Sequence, residues 1–155
     1  MSERLTVAAP IAGSLVELAD VPDDVFAQEM LGPGIAVQPD STGVVEVVAP
    51  VDGVLSALHP HAFVIQVPDG RAVLVHLGLD TVRLLGQTFT LDCGQGDTVR
   101  AGQVLVTWDV AAAVAHGKPA LCPVVALQTE RSALHAAGPA GTAVHQLDPL
   151  FTWDA

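Results

Sequence analysis

Short valine-rich runs, each closed by glycine, proline or aspartate, constrain the fold of this 155-residue chain more than any other feature. They read GIAVQP, GVVEVVAP, AFVIQV, RAVLVHL, TFTLDC, QVLVTWD and PVVAL. Runs of this length, rich in β-branched residues and bounded by turn formers, are typical of strands in an antiparallel sandwich or flattened barrel. We therefore expect a single all-β domain over residues 1–155, with a short flexible N-terminus at 1–5.

Two twelve-residue segments repeat one pattern at an offset of 40 residues. VAAPIAGSLVEL (7–18) and VVAPVDGVLSAL (47–58) are identical at six of twelve positions. Each reads as strand, turn, strand, with Pro and Gly at the reversal. GDTVRAGQVLVTWD (96–109) has a related shape around Ala101-Gly102. A duplicated hairpin motif is the expected result.

Helical patterns are short and few. They cover 24–30, 109–116 and 129–136. Asp109 is the expected N-cap of the second helix and Gly117 its stop.

The charge and cysteine content exclude several classes of function. The formal net charge is −11, with only six Lys and Arg, so the chain lacks the basic side chains that nucleic-acid binding requires. No run of 18 apolar residues predicts a membrane-spanning helix, and we see no signal peptide. Two cysteines, Cys93 and Cys122, do not make a disulfide framework. These features predict a cytoplasmic protein with reduced thiols.

Two histidines stand in the apolar stretch HAFVIQVPDGRAVLVHLGLD (61–80). The turn at 67–70 has Pro, Asp and Gly in an order that suits a type I turn followed by a left-handed glycine. A two- or four-residue loop sets His61 directly opposite His76, so that the two rings share one face. A three-residue loop with a G1 bulge shifts the pairing by one residue and puts the rings on opposite faces. The sequence leaves both registers open.

A pair of facing imidazoles suits phosphoryl transfer. A lone histidine in an apolar strand is usually a buried, hydrogen-bonded one, but two on neighbouring strands favour a shared site. A neutral ring nitrogen is a nucleophile near pH 7, and a second ring can donate a hydrogen bond to the bound anion. The chain has no GxxxxGK[ST] loop for a nucleotide. We therefore expect the phosphoryl donor to be another phosphoprotein.

Four segments occur in a distinctive order: VPDDVF (21–26), VAPVDG (48–53), HAF (61–63) and VHLGLDTV (75–82). GDTV, AGQ, CPVV and PLFTW follow them. Together they resemble the glucose-type enzyme IIA of the bacterial phosphoenolpyruvate-dependent sugar phosphotransferase system, from about residue 6 to 153. The resemblance implies an antiparallel sandwich with a shallow active-site depression and a phosphohistidine relay in sugar uptake.

The resemblance assigns the two central residues and the partners. His76 matches the histidine that the phosphocarrier protein HPr phosphorylates, and His61 matches the histidine that stabilises the phosphoryl group. The group then passes to a cysteine of a sugar-specific IIB domain, free or within a IIBC permease, and regulatory target proteins are a further class of partner. His59 stands where family members have threonine, so we include it in the site.

The resemblance also assigns the surroundings. Asp23 and Asp80 match the acidic rim of the site, and Val25, Phe26 and Phe63 are the expected surface for docking partners. No cofactor is implied, although the two active-site histidines could hold an incidental Zn²⁺ completed by a partner's carboxylate.

Two other classes of protein remain as alternatives. A zinc-dependent hydrolase would use His59, His61, His76 and Asp80, whose HxH and HxxxD spacings suit metal ligands; lysostaphin-type peptidases, however, have these motifs in the reverse order. A biotinyl or lipoyl carrier would need a lysine at a hairpin tip. Lys118 is the only lysine and follows a helical segment, which disfavours that alternative.

Overall fold

The computed structural model describes residues 4–40, 43–79, 89–115 and 120–154, which form short strands with little helix. The strands are β1 (Leu5–Ala8), β2 (Gly13–Glu17), β3 (Gly34–Pro39), β4 (Val44–Val48), β5 (Gly53–His59), β6 (Ala62–Gln66), β7 (Ala72–His76), β8 (Phe89–Leu91), β9 (Thr98–Val99), β10 (Val104–Asp109), β11 (Cys122–Ala126), β12 (Leu134–Ala136), β13 (Ala143–Val144) and β14 (Pro149–Trp153). The helices are α1 (Asp24–Ala27) and α2 (Val110–Ala115), with 3-10 turns at Leu18–Asp20 and Arg131–Ala133.

The described strands form one large sheet and two small ones, all with antiparallel pairs. The large sheet has the order β13-β2-β3-β11-β7-β6-β5-β9, and the small sheets have the orders β1-β14-β12 and β4-β10-β8. The main core lies between them and includes the fully buried Trp108, Phe63 and Phe151. The expected antiparallel sandwich is confirmed. The large sheet ends at β13 and β9 and does not close into a barrel.

The two repeated segments are strand, turn, strand, but neither is a hairpin. β1 pairs with β14, whereas β2 pairs with β3 and β13. In the second copy β4 pairs with β10, whereas β5 pairs with β6 and β9. The prediction of a duplicated hairpin is therefore wrong. Pro and Gly do reverse the chain, but each reversal carries it from a small sheet to the large one, because the bonding partners of its strands lie elsewhere in the sequence.

The two repeats are hydrogen-bonded to each other in a symmetric way. Ala8 N donates to Pro50 O at 3.0 Å, and Val48 N donates to Pro10 O at 3.1 Å. Donor and acceptor positions thus exchange between the copies at the offset of 40 residues. The repeat in the sequence corresponds to an approximate two-fold relation in the fold.

The glycine shared by both repeats is required by close backbone contact. A Cβ on Gly13 would lie 2.0 Å from Gln38 O, and a Cβ on Gly53 would lie 2.3 Å from Gln66 O. Both glycines begin the second strand of their repeat, where the neighbouring strand passes too close for any side chain.

The short helices agree with two of the three helical predictions. α1 covers the start of 24–30 and is capped by Asp23. α2 follows Asp109, whose carboxylate accepts a hydrogen bond from Ala112 N at 3.1 Å. Gly117 lies outside the described residues. None of the described helices is long and apolar enough to cross a membrane.

The last third of the chain confirms one prediction and overturns another. The 96–109 segment forms β9 and β10 around its glycine turn. The expected helix over 129–136 is wrong, because these residues form a 3-10 turn and then β12, which pairs with β14. Pairing with a distant strand outweighs a short helical pattern.

The outer face of the large sheet carries a second apolar cluster at one end of β7. Its buried members are Leu18, Val21, Phe26, Ala36, Leu79 and Val125. The segment that runs from the 3-10 turn at Leu18–Asp20 through Val21 to α1 supplies the first three of them and so covers part of this face. His76, the last residue of β7, lies at the edge of the cluster against Phe26.

Candidate active site

The β6–β7 hairpin has a three-residue loop, which is the odd one of the two loop lengths that the sequence left open. Ala62, and not His61, is paired with His76. Gly70 N donates to Val67 O at 3.0 Å, and Gly70 has a φ of 99°, as in a type I turn closed by a G1 bulge. The register that sets the two histidines directly opposite each other is therefore wrong, and the register of the three-residue loop is confirmed.

The two rings nevertheless meet, with centroids 5.2 Å apart and planes at 74°. His61 is not part of β6; it follows Pro60 in the two-residue turn that joins β5 to β6, where His59 pairs with Ala62. Side chains alternate between faces within a strand, but not through a turn in which the backbone changes direction. The expectation that the odd register separates the rings fails for this reason, and His61 reaches His76.

The backbone holds His76 in one tautomer. Its Nδ1 lies 2.5 Å from Gly78 O, and since a carbonyl oxygen only accepts, Nδ1 carries the proton and donates. In the neutral ring, Nε2 then has the lone pair. The sequence prediction missed this acceptor. Its signal is the glycine just after the strand, which adopts a left-handed φ of 78°.

Burial lowers the pKa of both histidines below their ordinary value. For His76 the hydrogen bond to Gly78 O and the charge of Asp23 raise the pKa and offset part of that effect. For His61 the neighbouring rings of His76 and His59 lower the pKa further. Both imidazoles are therefore neutral at pH 7, so one can act as nucleophile while the other donates a hydrogen bond.

The segment around α1 flanks His76 on one side. The edge of the Phe26 ring packs against the His76 ring, with centroids 5.2 Å apart. Asp23 lies close enough to raise the pKa of His76, and its carboxylate also accepts a hydrogen bond from Val25 N at 3.0 Å. Phe26 is 5% exposed and forms a wall of the site, whereas Val25 is 39% exposed. Of these two predicted docking residues, Val25 alone offers substantial surface to a partner.

Two further predicted residues are not placed in the site. Phe63 is 1% exposed and belongs to the main core, because it lies on the inner face of β6. The prediction that Phe63 docks a partner is therefore wrong. Asp80, predicted at the rim, lies outside the described residues.

The remaining histidines and the two cysteines differ from the pair in exposure or in thiol pKa. His135 and His145 are exposed, and His116 lies outside the described residues. Burial raises the pKa of the Cys122 thiol far above its ordinary value. Burial and two nearby aspartates raise the pKa of Cys93. Both thiols are thus disfavoured as thiolates at pH 7.

The zinc hydrolase alternative finds no support in the geometry. Within the ranges that the structure describes, no group of three or more His, Cys, Asp or Glu side chains is arranged to hold a metal ion. His59, His61 and His76 stand in a row, with ring centroids 5.9 Å and 5.2 Å apart. The fourth predicted ligand, Asp80, is outside the described residues.

Known proteins share both the sequence and the fold. The family model described as phosphoenolpyruvate-dependent sugar phosphotransferase system, EIIA 1, matches residues 5–132. The chain is 37% identical over 130 residues to the PTS system glucose-specific EIIA component of Oceanobacillus iheyensis, covering 83% of this chain and 77% of that protein. It is 40% identical over 121 residues to the glucose-specific EIICBA component of Staphylococcus carnosus, covering 77% of this chain and 18% of that one.

A solved structure extends the likeness to nearly the whole chain. Glucose permease IIA from Mycoplasma capricolum has a TM-score of 0.85 and 34% identity, and the match covers 97% of this chain and 96% of that one. The resemblance inferred from the short motifs is confirmed. The chain therefore belongs to the EIIA 1 family of the phosphoenolpyruvate-dependent sugar phosphotransferase system and is a phosphoryl carrier of the glucose type.

Proposed function

We propose that His76 is the residue that carries the phosphoryl group and that His61 binds its oxygens. The observation that carries the proposal is the pair of facing rings, 5.2 Å apart, in which Nδ1 of His76 is bonded to Gly78 O. That bond keeps the proton on Nδ1 and leaves Nε2 as the nucleophile.

The donor in this proposal is HPr and the acceptor is a cysteine of a sugar-specific IIB domain. In the first step the bond from phosphorus to HPr breaks as the bond from phosphorus to Nε2 of His76 forms. In the second step the Nε2–P bond breaks and an S–P bond forms on IIB. The proton stays on Nδ1, which donates to Gly78 O throughout, so His76 needs no other proton acceptor.

His61 stabilises the negative charge of the phosphoryl group during its transfer. A phosphoryl group passes through a transition state with charge on its equatorial oxygens, and fixed donors stabilise that charge. Nε2–H of His61 would be such a donor, and the low pKa of His61 keeps its ring neutral until the dianion arrives. No cofactor takes part in this scheme, and a Zn²⁺ between the two rings would block Nε2 of His76.

Acidic side chains around α1 bias the choice of partner. Asp20 and Asp24 are exposed and Asp23 is half-buried beside His76. A surface of this sign attracts basic partners and repels acidic ones. Adding a phosphoryl dianion next to Asp23 would change that field, so the phosphorylation state could signal to regulatory target proteins. We place the relay in the cytoplasm, where phosphoenolpyruvate is available.

The proposal is tested by reconstitution. The protein is incubated with phosphoenolpyruvate, enzyme I and HPr, and the modified residue is located by mass spectrometry under conditions that preserve acid-labile phosphate. We expect phosphate on His76 and none on the His76→Ala variant. His145→Ala, at an exposed histidine, is the matched control and should be labelled like the unaltered protein. Phosphate on a different residue would contradict the assignment.

A further inference from the structure

One nitrogen of the histidine pair has no partner in the part of the chain that the structure describes. Nδ1 of His61 is buried and makes no hydrogen bond there. Buried ring nitrogens are usually paired, because an unpaired one loses its bond to water without a replacement. The neighbouring His76 has its own acceptor, Gly78 O. Nδ1 of His61 is therefore the polar atom of the site that still needs an explanation.

His59 is placed to serve this atom. Its ring lies beside that of His61, with centroids 5.9 Å apart and planes tilted by 32°. The two residues flank Pro60 in the β5–β6 turn, and the backbone of His61 is held by a hydrogen bond from Leu77 N to His61 O at 2.7 Å. His59 is exposed. Its side chain can rotate without disturbing the core, while His61 stays fixed.

We infer that His59 is a positioning residue, whose ring nitrogen hydrogen-bonds Nδ1 of His61 and selects the tautomer of His61 with the proton on Nε2. The inference rests on the proposed function of His61. A neutral imidazole has one donor and one acceptor nitrogen. If Nδ1 accepts a hydrogen bond from His59, the proton of His61 must be on Nε2, from which it is donated to a phosphoryl oxygen. His59 itself does not touch the phosphoryl group.

An imidazole at position 59 can hydrogen-bond His61 whether the His61 ring is neutral or protonated. A phosphoryl dianion on His76 favours protonation of His61, and Nδ1 then becomes a donor that needs an acceptor. While His61 is neutral, the ring N–H of His59 donates to Nδ1; once His61 is protonated, the lone pair of the His59 ring accepts from Nδ1–H. It therefore supports His61 before, during and after phosphoryl transfer.

The test measures the tautomer directly. Nitrogen-15 spectra of the histidine rings are recorded on the full-length protein before and after phosphorylation by HPr. We expect His61 to be in the Nε2–H form in the unphosphorylated protein and to become a mixture of tautomers in His59→Phe, which keeps a ring but has no nitrogen. His59→Gln, whose amide N–H can donate to Nδ1 of His61, should restore the single tautomer. Transfer from His76 to IIB should slow about tenfold in His59→Phe and largely recover in His59→Gln.

A matched control and two outcomes make the test decisive. His145→Phe replaces a histidine whose side chain is 93% exposed and should change neither the tautomer nor the rate. An unchanged His61 tautomer in His59→Phe, or His59→Gln as slow as His59→Phe, overturns the role of His59. Failure of the proposed function looks different, because the unaltered protein would then take up no phosphate on His76 whatever the tautomer of His61.

Discussion

The two ends of the β6–β7 hairpin differ in how their polar groups are used. At the turn end, Arg71 donates to Asp69 at 2.6 Å and 2.9 Å and to Trp153 O at 2.6 Å. At the other end, Nδ1 of His61 is buried without a partner among the described residues, and burial lowers the pKa of both histidines. The first end uses its polar contacts to fix the hairpin. The second has a buried ring nitrogen that the described contacts leave unpaired, as a site for chemistry does and a purely structural one does not.

The turn end determines what the other end presents. Gly70, with its positive φ, closes the odd loop, and the resulting register puts Phe63 and Val75 on the inner face. His76, next to Val75 in the strand, is then on the outer face against Phe26. The turn end therefore decides which face carries the nucleophile, although it takes no part in the chemistry.

The largest effect on phosphoryl transfer is expected at the end of the hairpin that carries His61 and His76, which we call the chemical end. His61→Ala removes the donor to the phosphoryl oxygens, so transfer from His76 to IIB should fall by about 100-fold. His76 should still accept phosphate from HPr, because its nucleophilic nitrogen is set by Gly78 O. Quench-flow with labelled phosphate separates the two steps. His135→Ala, at an exposed histidine, is the control; onward transfer at the normal rate in His61→Ala would show that His61 is not the donor.

At the turn end a substitution should reduce stability and spare the chemistry. Arg71→Met removes the hydrogen bonds to Asp69 and Trp153 O, and we expect the free energy of unfolding to fall by about 2 kcal/mol. Urea denaturation measures this change. Arg100→Met, at an exposed arginine, should change stability little. Slower phosphoryl transfer per folded molecule in Arg71→Met would contradict the separation of the two ends.

A smaller effect is expected from the backbone of the same turn. Gly70→Ala puts a side chain on a residue with φ of 99°, and although nothing lies within 4 Å of the new Cβ, the backbone strain should cost about 1 kcal/mol. Gly94→Ala is the matched control, because its Cβ would make ordinary contacts, the nearest at 3.7 Å, and Gly94 is not among the residues with positive φ. Equal stability of the two variants would contradict the strain argument.

The smallest effect concerns pH and belongs to the chemical end. Because the folded protein has a lowered pKa at His61 and His76, the unfolded chain binds protons more readily on both. Their contribution to stability is therefore complete above the ordinary pKa of 6.5 and is lost as the pH falls through the folded values. Urea midpoints between pH 8 and 5 should decline less steeply in His61→Ala than in His145→Ala. Parallel curves would contradict the pKa shifts.

Local patterns in the sequence were sufficient for several features of the fold. The valine-rich runs between turn formers predicted the strands, and Asp109 marked the start of α2. The motifs around His61 and His76 identified the family. These features depend on neighbouring residues, whose periodicity and turn preferences are written in consecutive positions.

Strand partners and register were decided by the tertiary structure. The repeated segments predict a reversal but not that it crosses between sheets, since β1 and β14 are far apart in sequence. Phe63 is as apolar as a docking residue should be, and only the pairing of β6 puts it in the core. The helix expected at 129–136 gave way to β12 for the same reason.

The meeting of His61 and His76 shows most clearly what the sequence determined and what the tertiary structure decided. The sequence by itself determined that two imidazoles and a following glycine are present, and it limited the loop between the strands to an even or an odd one. Only the tertiary structure decided that His61 lies in a turn, outside the alternation of β6, so that its ring reaches that of His76 despite the odd register. The physical reason is that side-chain direction in a turn follows from how the flanking strands pair, which residue order alone does not specify.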